Sequence, residues 1–280
     1  MDHASKVVAD RDAAGGSVRR RYIDGPFGQV HLLENEPLQS AEPPLLCLHA
    51  TAYSSRSFRP LLTAFAGRRY CIALDTPGYG ASDPPPGPID MAGYADALTD
   101  SVERLAKSPV DVLGYHTGAY IAAEACLRRP DLFRCLIMIG VPYFHGPDRA
   151  LWQARLAAPQ WLGEALTQFG ERWDSLVANR PRQLSLARGF ENFVDELRAY
   201  PKGSWAHMAL FAYDDQRRLG DLRLPVLIVN YPGHLAEGSR KAGSRIPTAT
   251  IIEAPHLEPP VLETAPEFMR DAIEAFLGRA

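Results

Sequence analysis

Histidine is the residue type in this sequence with the most chemical reach. The chain holds 8 histidines in 280 residues. His49 ends the apolar run Leu45-Leu46-Cys47-Leu48. His116 stands inside Gly114-Tyr115-His116-Thr117-Gly118, His234 follows Asn230-Tyr231-Pro232-Gly233, and His256 closes Ala254-Pro255-His256. An unperturbed imidazole titrates near pH 6.5, so a pair can furnish a base and an acid close to neutrality. The ring can also attack an acyl carbon, and the acyl-imidazole then hydrolyses readily. Three imidazoles from three loops, His116, His234 and His256, are alternatively candidate ligands for Zn²⁺ or Fe²⁺ with a position open for water or substrate. His3, His31, His145 and His207 receive no role.

These histidines need elements to position them. Short β-rich runs occur at 19–22, 29–33, 45–49, 70–74, 110–113, 135–140, 226–230 and 248–253. Several are brief apolar stretches bounded by turn residues, the pattern of strands buried on both faces. Helical patterns lie between them at 58–66, 94–106, 119–128 and 266–276. Strands alternating with helices imply an α/β fold built on a mostly parallel sheet with right-handed crossovers. From 142 to 224 the alternation stops, and helical patterns at 149–156, 163–177, 186–200 and 204–217 replace it. That stretch holds all four tryptophans, Trp152, Trp161, Trp173 and Trp205. Some of its rings fill its own core and others form an apolar ceiling over a pocket. Residues 1–17 read as a loose polar tail.

Composition narrows the function classes. Thirty Lys and Arg against 33 Asp and Glu leave a net charge of −3. That offers no electrostatic case for nucleic acid or an anionic membrane. The four cysteines sit in apolar stretches without C-x-x-C spacing, as buried thiols of a reducing compartment do. No signal-peptide core and no apolar run of about 18 residues stands out. The expectation is a cytoplasmic protein with a small-molecule substrate. No interface patch marks an oligomeric state.

The run 110–119 resembles the nucleophile elbow of α/β-hydrolases, a strand, then G-x-nucleophile-x-G, then a helix. Leu46-Cys47-Leu48-His49-Ala50 resembles the family's strand ending in His-Gly. Asp75-Thr76-Pro77-Gly78-Tyr79-Gly80-Ala81-Ser82 is close to its D-x-P-G-x-G-x-S motif. The resemblance spans about 18–278. It implies an eight-stranded, mostly parallel sheet flanked by helices, with a core of 18–141 and 225–280 and a helical lid at 142–224. It implies that His116 replaces the nucleophile, that His234 stands at the position of the acid, and that His256 is the family's catalytic histidine. Glu237 and Glu258 stand nearby as substitutes for the acid. It further implies an oxyanion hole from the backbone N–H groups of Ala50 and Thr117. The Thr117 side chain is expected to point away from the elbow side chain. His49, Tyr115, Trp152 and Trp205 are the expected substrate contacts.

The expected activity is that of an enzyme, nominally a hydrolase, acting without a cofactor on a small, largely apolar or aromatic carbonyl compound. His116 is its general base or nucleophile and His256 its proton-transfer partner, oriented by His234. Two imidazolium ions side by side repel, so one ring of the pair stays neutral near pH 7. A backbone oxyanion hole holds an enolate as well as a tetrahedral intermediate, so a C–C lyase or a cofactor-free oxygenase is an alternative. A metal enzyme using the histidine cluster and a non-catalytic small-ligand binder are two more.

Overall fold

The computed structural model describes residues 18–36, 42–106, 109–157 and 167–279. The tail at 1–17, with His3, and Trp161 lie outside the described residues. The strands are β1 (Arg19–Gly25), β2 (Gly28–Glu34), β3 (Leu45–Leu48), β4 (Cys71–Leu74), β5 (Val110–Tyr115), β6 (Phe133–Ile139), β7 (Val226–Asn230) and β8 (Ala249–Glu253). They form one sheet in the order β1-β2-β4-β3-β5-β6-β7-β8. The β1–β2 and β2–β4 pairs are antiparallel and all others are parallel. All eight expected strands exist, with ends moved by a few residues.

Period-two alternation assigns the side chains of the central strands to two cores. Leu46, Leu48, Val110, Val112, Leu136 and Met138 face one core, packed with α2 (Met91–Leu105) and α3 (Thr117–Arg128). Leu45, Cys47, Leu113, Ile137, Leu227 and Val229 face the other, packed with α1 (Arg59–Ala64) and the C-terminal helices. The four cysteines are free and buried. No helix among the described residues is long and apolar enough to cross a membrane.

Between β6 and β7 the described chain is helical: α4 (Pro147–Ala157), α5 (Thr167–Trp173), α6 (Leu186–Ala199), α7 (Trp205–Ala212) and α8 (Asp215–Gly220). Residues 163–166 of one expected helix lie outside the described residues. The single helix expected at 204–217 is two. Tyr213 is extended (ψ 136°), and the Asp214 side chain caps the next turn by accepting from Arg217 N. Two buried polar clusters bind this insert to the core. Tyr120 of α3 donates to Asp215 (3.1 Å), which also pairs with Arg149 (3.2 Å). Ser54, after β3, donates to Asp195 of α6 (2.5 Å), and Arg56 reaches the other carboxylate oxygen (2.6 Å).

Three more helices complete the chain: α9 (Ala236–Arg245), α10 (Val261–Thr264) and α11 (Pro266–Leu277). α9 has no expectation in the sequence, because its buried face is Ser239, Ala242 and Gly243 rather than an apolar stripe. Small residues let it lie close to the sheet: a Cβ on Gly243 would meet Ile251 Cδ1 at 2.6 Å.

Candidate active site

The junction of β5 and α3 sets the geometry. His116 is the one described non-glycine residue with positive φ (φ 54°, ψ −115°). Its N–H donates to Ile139 O (2.9 Å), extending the β5–β6 pairing, while its carbonyl accepts from Ala119 N (3.0 Å). One residue thus ends the strand and starts the helix, and its side chain projects at the carboxyl edge of the sheet. The turn closes only because Gly114 and Gly118 lack a Cβ. At Gly114 that atom would meet Ala119 Cα at 2.3 Å, and at Gly118 it would meet Leu48 O at 2.3 Å. A side chain in a sparsely populated backbone region held by its surroundings marks a functional candidate.

His116 lines a cavity of about 290 Å³. The core contributes Ala50, Thr51 and Tyr53 after β3, Tyr115 and His116 at the elbow, Tyr231, Gly233, His234 and Leu235 after β7, and Pro259. The insert contributes Phe144, Trp152, His207 and Phe211. The ring of Phe211 stacks on Trp152 and Phe144, with centroids 6.0 Å apart in each pair. The described residues of this wall include no Lys, Arg, Asp or Glu.

His116 Nδ1 lies 3.1 Å from Thr117 Oγ1, leaving Nε2 without a partner among the described residues. The Thr117 hydroxyl was expected to point away from the elbow ring; it touches that ring instead. Thr117 is buried and outside the cavity wall, so its hydroxyl orients the imidazole. If Nδ1–H donates to Thr117, Nε2 presents a lone pair; if Nδ1 accepts, Nε2 presents an N–H. Burial, the neighbouring His207 and His234 push the His116 pKa down to about 3. Burial pushes His207 down to about 4. Both rings are therefore neutral at pH 7.

The structure brings His116, His234, Ala50, Tyr115 and Trp152 to this cavity, with Thr117 beneath. It does not bring His256, His49 or Trp205. Leu257 N donates to Ala254 O (3.1 Å), closing a turn whose central residues, Pro255 and His256, face solvent. The His256 ring packs edge-on against Phe268 at 4.9 Å. His49 is buried, and both its nitrogens are engaged: Nδ1 donates to Ala50 O (2.9 Å) and Nε2 accepts from Thr76 N (2.9 Å). It ties the ends of β3 and β4 together rather than meeting substrate. Trp205 sits two residues before His207, about 200° around α7, and so turns away.

The residue that sequence reasoning missed is His207, whose ring meets that of His116 edge to face at 5.6 Å. A signal existed: His207 and Phe211 share a helix face at i, i+4, and Phe211 lies among the rings of the insert. The substitutes for the acid are engaged elsewhere, Glu237 with Lys241 and Glu258 with Gln183 (2.6 Å). Among the described residues no three His, Cys, Asp or Glu side chains gather as a metal-ligand set, so His116, His234 and His256 do not form one.

The sequence profile of the family described as alpha/beta hydrolase fold matches residues 43–249. The chain is 26% identical to a 2-(acetamidomethylene)succinate hydrolase of Mesorhizobium japonicum, over 99% of each chain. It is 23% identical to an (E)-2-((N-methylformamido)methylene)succinate hydrolase of Acinetobacter baylyi, over 84% of this chain and 90% of that one. A solved hydrolase from Pseudomonas aeruginosa superposes with a TM-score of 0.75 at 18% identity, covering 93% of this chain and 98% of that one. With the strand order, the elbow and a match over most of its length, the chain belongs to the α/β-hydrolase-fold family and is a hydrolase-like enzyme.

Proposed function

We propose that the chain hydrolyses a neutral, small, largely apolar or aromatic carbonyl compound without a cofactor, with the helical insert acting as its lid. The observation that carries this reading is the cavity: its described walls hold aromatic rings and imidazoles and no charged side chain of fixed sign. The two curated relatives are named for substituted succinates, which carry two carboxylates. A cavity whose described wall has neither Lys nor Arg favours a neutral substrate instead.

His116 Nε2 is the central group. With Nδ1–H donating to Thr117, its lone pair takes a proton from attacking water or attacks the carbonyl itself. The backbone N–H groups of Ala50, after β3, and Thr117, at the start of α3, receive the developing oxyanion, and the unpaired N–H groups and dipole of that helix favour its negative charge. In the base route that proton passes from His116 to the leaving group; in the nucleophile route the leaving group takes its proton from water, and the resulting hydroxide cleaves the acyl-imidazole. His207 replaces His256 as the second ring: a neutral imidazole accepts at one nitrogen while it releases from the other. His234, at the rim, is the third.

A second reading is favoured by the absence of any Asp or Glu from the described cavity wall. Without a carboxylate to support an imidazolium, a neutral His116 donating from Nε2–H polarises a carbonyl more readily than it activates a nucleophile. With the α-proton taken up by the neutral His207, the product of that chemistry is an enolate, as in a C–C lyase or a cofactor-free oxygenase.

The test is turnover of neutral aryl esters, 4-nitrophenyl acetate first, and of aryl ketones and enols by wild type and His116→Ala. Hydrolysis falling at least about 100-fold in kcat in the variant supports the first reading. Turnover confined to ketones or enols supports the second. Activity within a few-fold of wild type in the variant overturns both. Saturation at one ligand per chain with no product identifies a binder.

A further inference from the structure

A second cavity of about 240 Å³ lies back to back with the first. Tyr53, Tyr115 and Pro259 line both. Its rim carries the exposed Ser175, Pro181 and Pro259, and its depth is formed by the buried Ser57, Leu184, Asn192 and Leu262. No part of the chemistry at His116 uses it.

The polar groups of this wall are uneven. Asn192 is 7% exposed, and its Oδ1 has no hydrogen-bond partner. Glu263, with its side chain 8% exposed, accepts from Arg188 Nε at 2.9 Å. Burial pushes the Glu263 carboxyl up, and Arg188 opposes that shift. Ser57 already donates to Ser54 O (3.0 Å). The deep end therefore holds an amide and a carboxylate, with the buried and unpaired Nη2 of Arg188 beside them, in a wall otherwise made of Leu, Pro, Tyr and Ser. A buried acceptor left unpaired is costly, and a ligand that supplies the missing donor recovers that cost. Glu263 is already paired with Arg188, which also pairs with the exposed Glu191 (2.9 Å), so a neutral donor adds no further charge to bury beside this ion pair.

We propose that this second cavity binds a neutral, largely apolar group that ends in one hydrogen-bond donor, a hydroxyl or an amide N–H, directed at Asn192 and Glu263. The group is either the far end of the substrate held at His116 or a separate small molecule. The binding itself stands apart from the chemistry proposed at His116.

The probes are 4-fluorophenol and 4-fluoroanisole, titrated into the full chain and followed by ¹⁹F NMR. They have the same ring and differ in the donor. Wild type is expected to bind the phenol about ten-fold more tightly, the usual worth of one buried hydrogen bond. Asn192→Leu lines this cavity alone and is expected to erase the difference. Leu184→Phe, which fills the same cavity from its apolar side, is expected to weaken the phenol by a similar factor and covers the case in which Asn192→Leu fails to fold. Equal affinity for the two probes in wild type overturns the proposal, as does a preference that survives Asn192→Leu or a phenol affinity unmoved by Leu184→Phe. The source is read from esters. If Asn192→Leu raises KM for an ester with a 4-hydroxyphenyl tail and not for 4-nitrophenyl acetate, the occupant is the substrate's far end. If both KM values are unmoved while phenol binding is lost, it is a separate molecule. These binding readouts do not depend on whether His116→Ala retains turnover.

Discussion

The rings of His116 and His207 meet edge to face, 5.6 Å between centroids and 70° between planes. One comes from the strained elbow between β5 and α3 and the other from α7 of the insert. Neither has a carboxylate against it among the described residues, and each is held neutral by loss of water. A site assembled from two such rings depends on the insert being seated, because half of the pair arrives with it.

His207 is thus expected to matter more than His256. His207→Leu lowers kcat on a working substrate by about 10–100-fold, the usual share of one acid–base group. His256→Ala changes kcat by less than three-fold, by analogy with an exposed residue outside the site. Steady-state kinetics on both variants decides it. The reverse order restores His256 as the partner and rejects the pair.

Protonation of the two buried rings links folding to pH. Below a pH of about 6.5 the unfolded chain binds a proton on each ring, while the native rings stay neutral down to about 4 and about 3. The unfolded state holds more protons in that window, so stability falls as pH drops through it and levels off above neutrality. Each ring contributes a slope of about 1.4 kcal/mol per pH unit near pH 5. Urea midpoints between pH 4.5 and 7 should lose part of this dependence in His207→Leu. For the same reason kcat should hold its plateau below pH 6. A drop with an apparent pKa near 6.5 contradicts neutral rings.

The elbow tolerates no added carbon on its inner side. A Cβ at Gly118 meets the backbone oxygens of Leu48 and His49 at 2.3 and 2.9 Å, and backbone cannot swing aside. Gly118→Ala should destabilise the fold by about 1–3 kcal/mol and separate α3 from the loop carrying Ala50. Chemical denaturation measures the first effect and kcat the second. An unchanged midpoint shows that the junction relaxes.

Asp195 is fully buried and receives Ser54 and Arg56 from the loop after β3. Asp195→Ala removes both contacts and strands the Arg56 guanidinium. We expect a loss of about 2–4 kcal/mol in unfolding free energy. Asp195→Asn keeps the bond to Ser54 and should recover part of it.

Restoring a hydroxyl at the elbow is not expected to restore a serine esterase. His116→Ser leaves no ring at the elbow, and the second ring, His207, has no carboxylate beside it among the described cavity residues. Activity on 4-nitrophenyl acetate should remain far below that of an ordinary triad enzyme, because the imidazolium lacks its anionic partner. Full esterase activity in this variant points to an acid elsewhere.

Much of the fold was legible because it is written in local periodicity. The short apolar runs, their bounding turn residues and the Gly-x-His-x-Gly junction place the strands, the elbow and the insert without reference to distant contacts. α9 escaped because it packs by smallness, with Ser239, Ala242 and Gly243 against the sheet, and leaves no hydrophobic stripe to read. The break at Tyr213 escaped because Asp214 can either continue a helix or cap a new one, and only its bond to Arg217 N decides.

By itself the sequence determined the sheet, its elbow and the presence of His116 at that elbow, since these follow from residue type and spacing along the chain. Only the tertiary structure decided which imidazoles share a cavity. The turn after β8 sends His256 to Phe268 and solvent. Two backbone partners consume both nitrogens of His49. The angular phase of α7 aims His207, not Trp205, at His116. Side-chain direction at the end of a loop or on one face of a helix is set by how that element docks, and docking is a property of contacts between residues far apart in sequence.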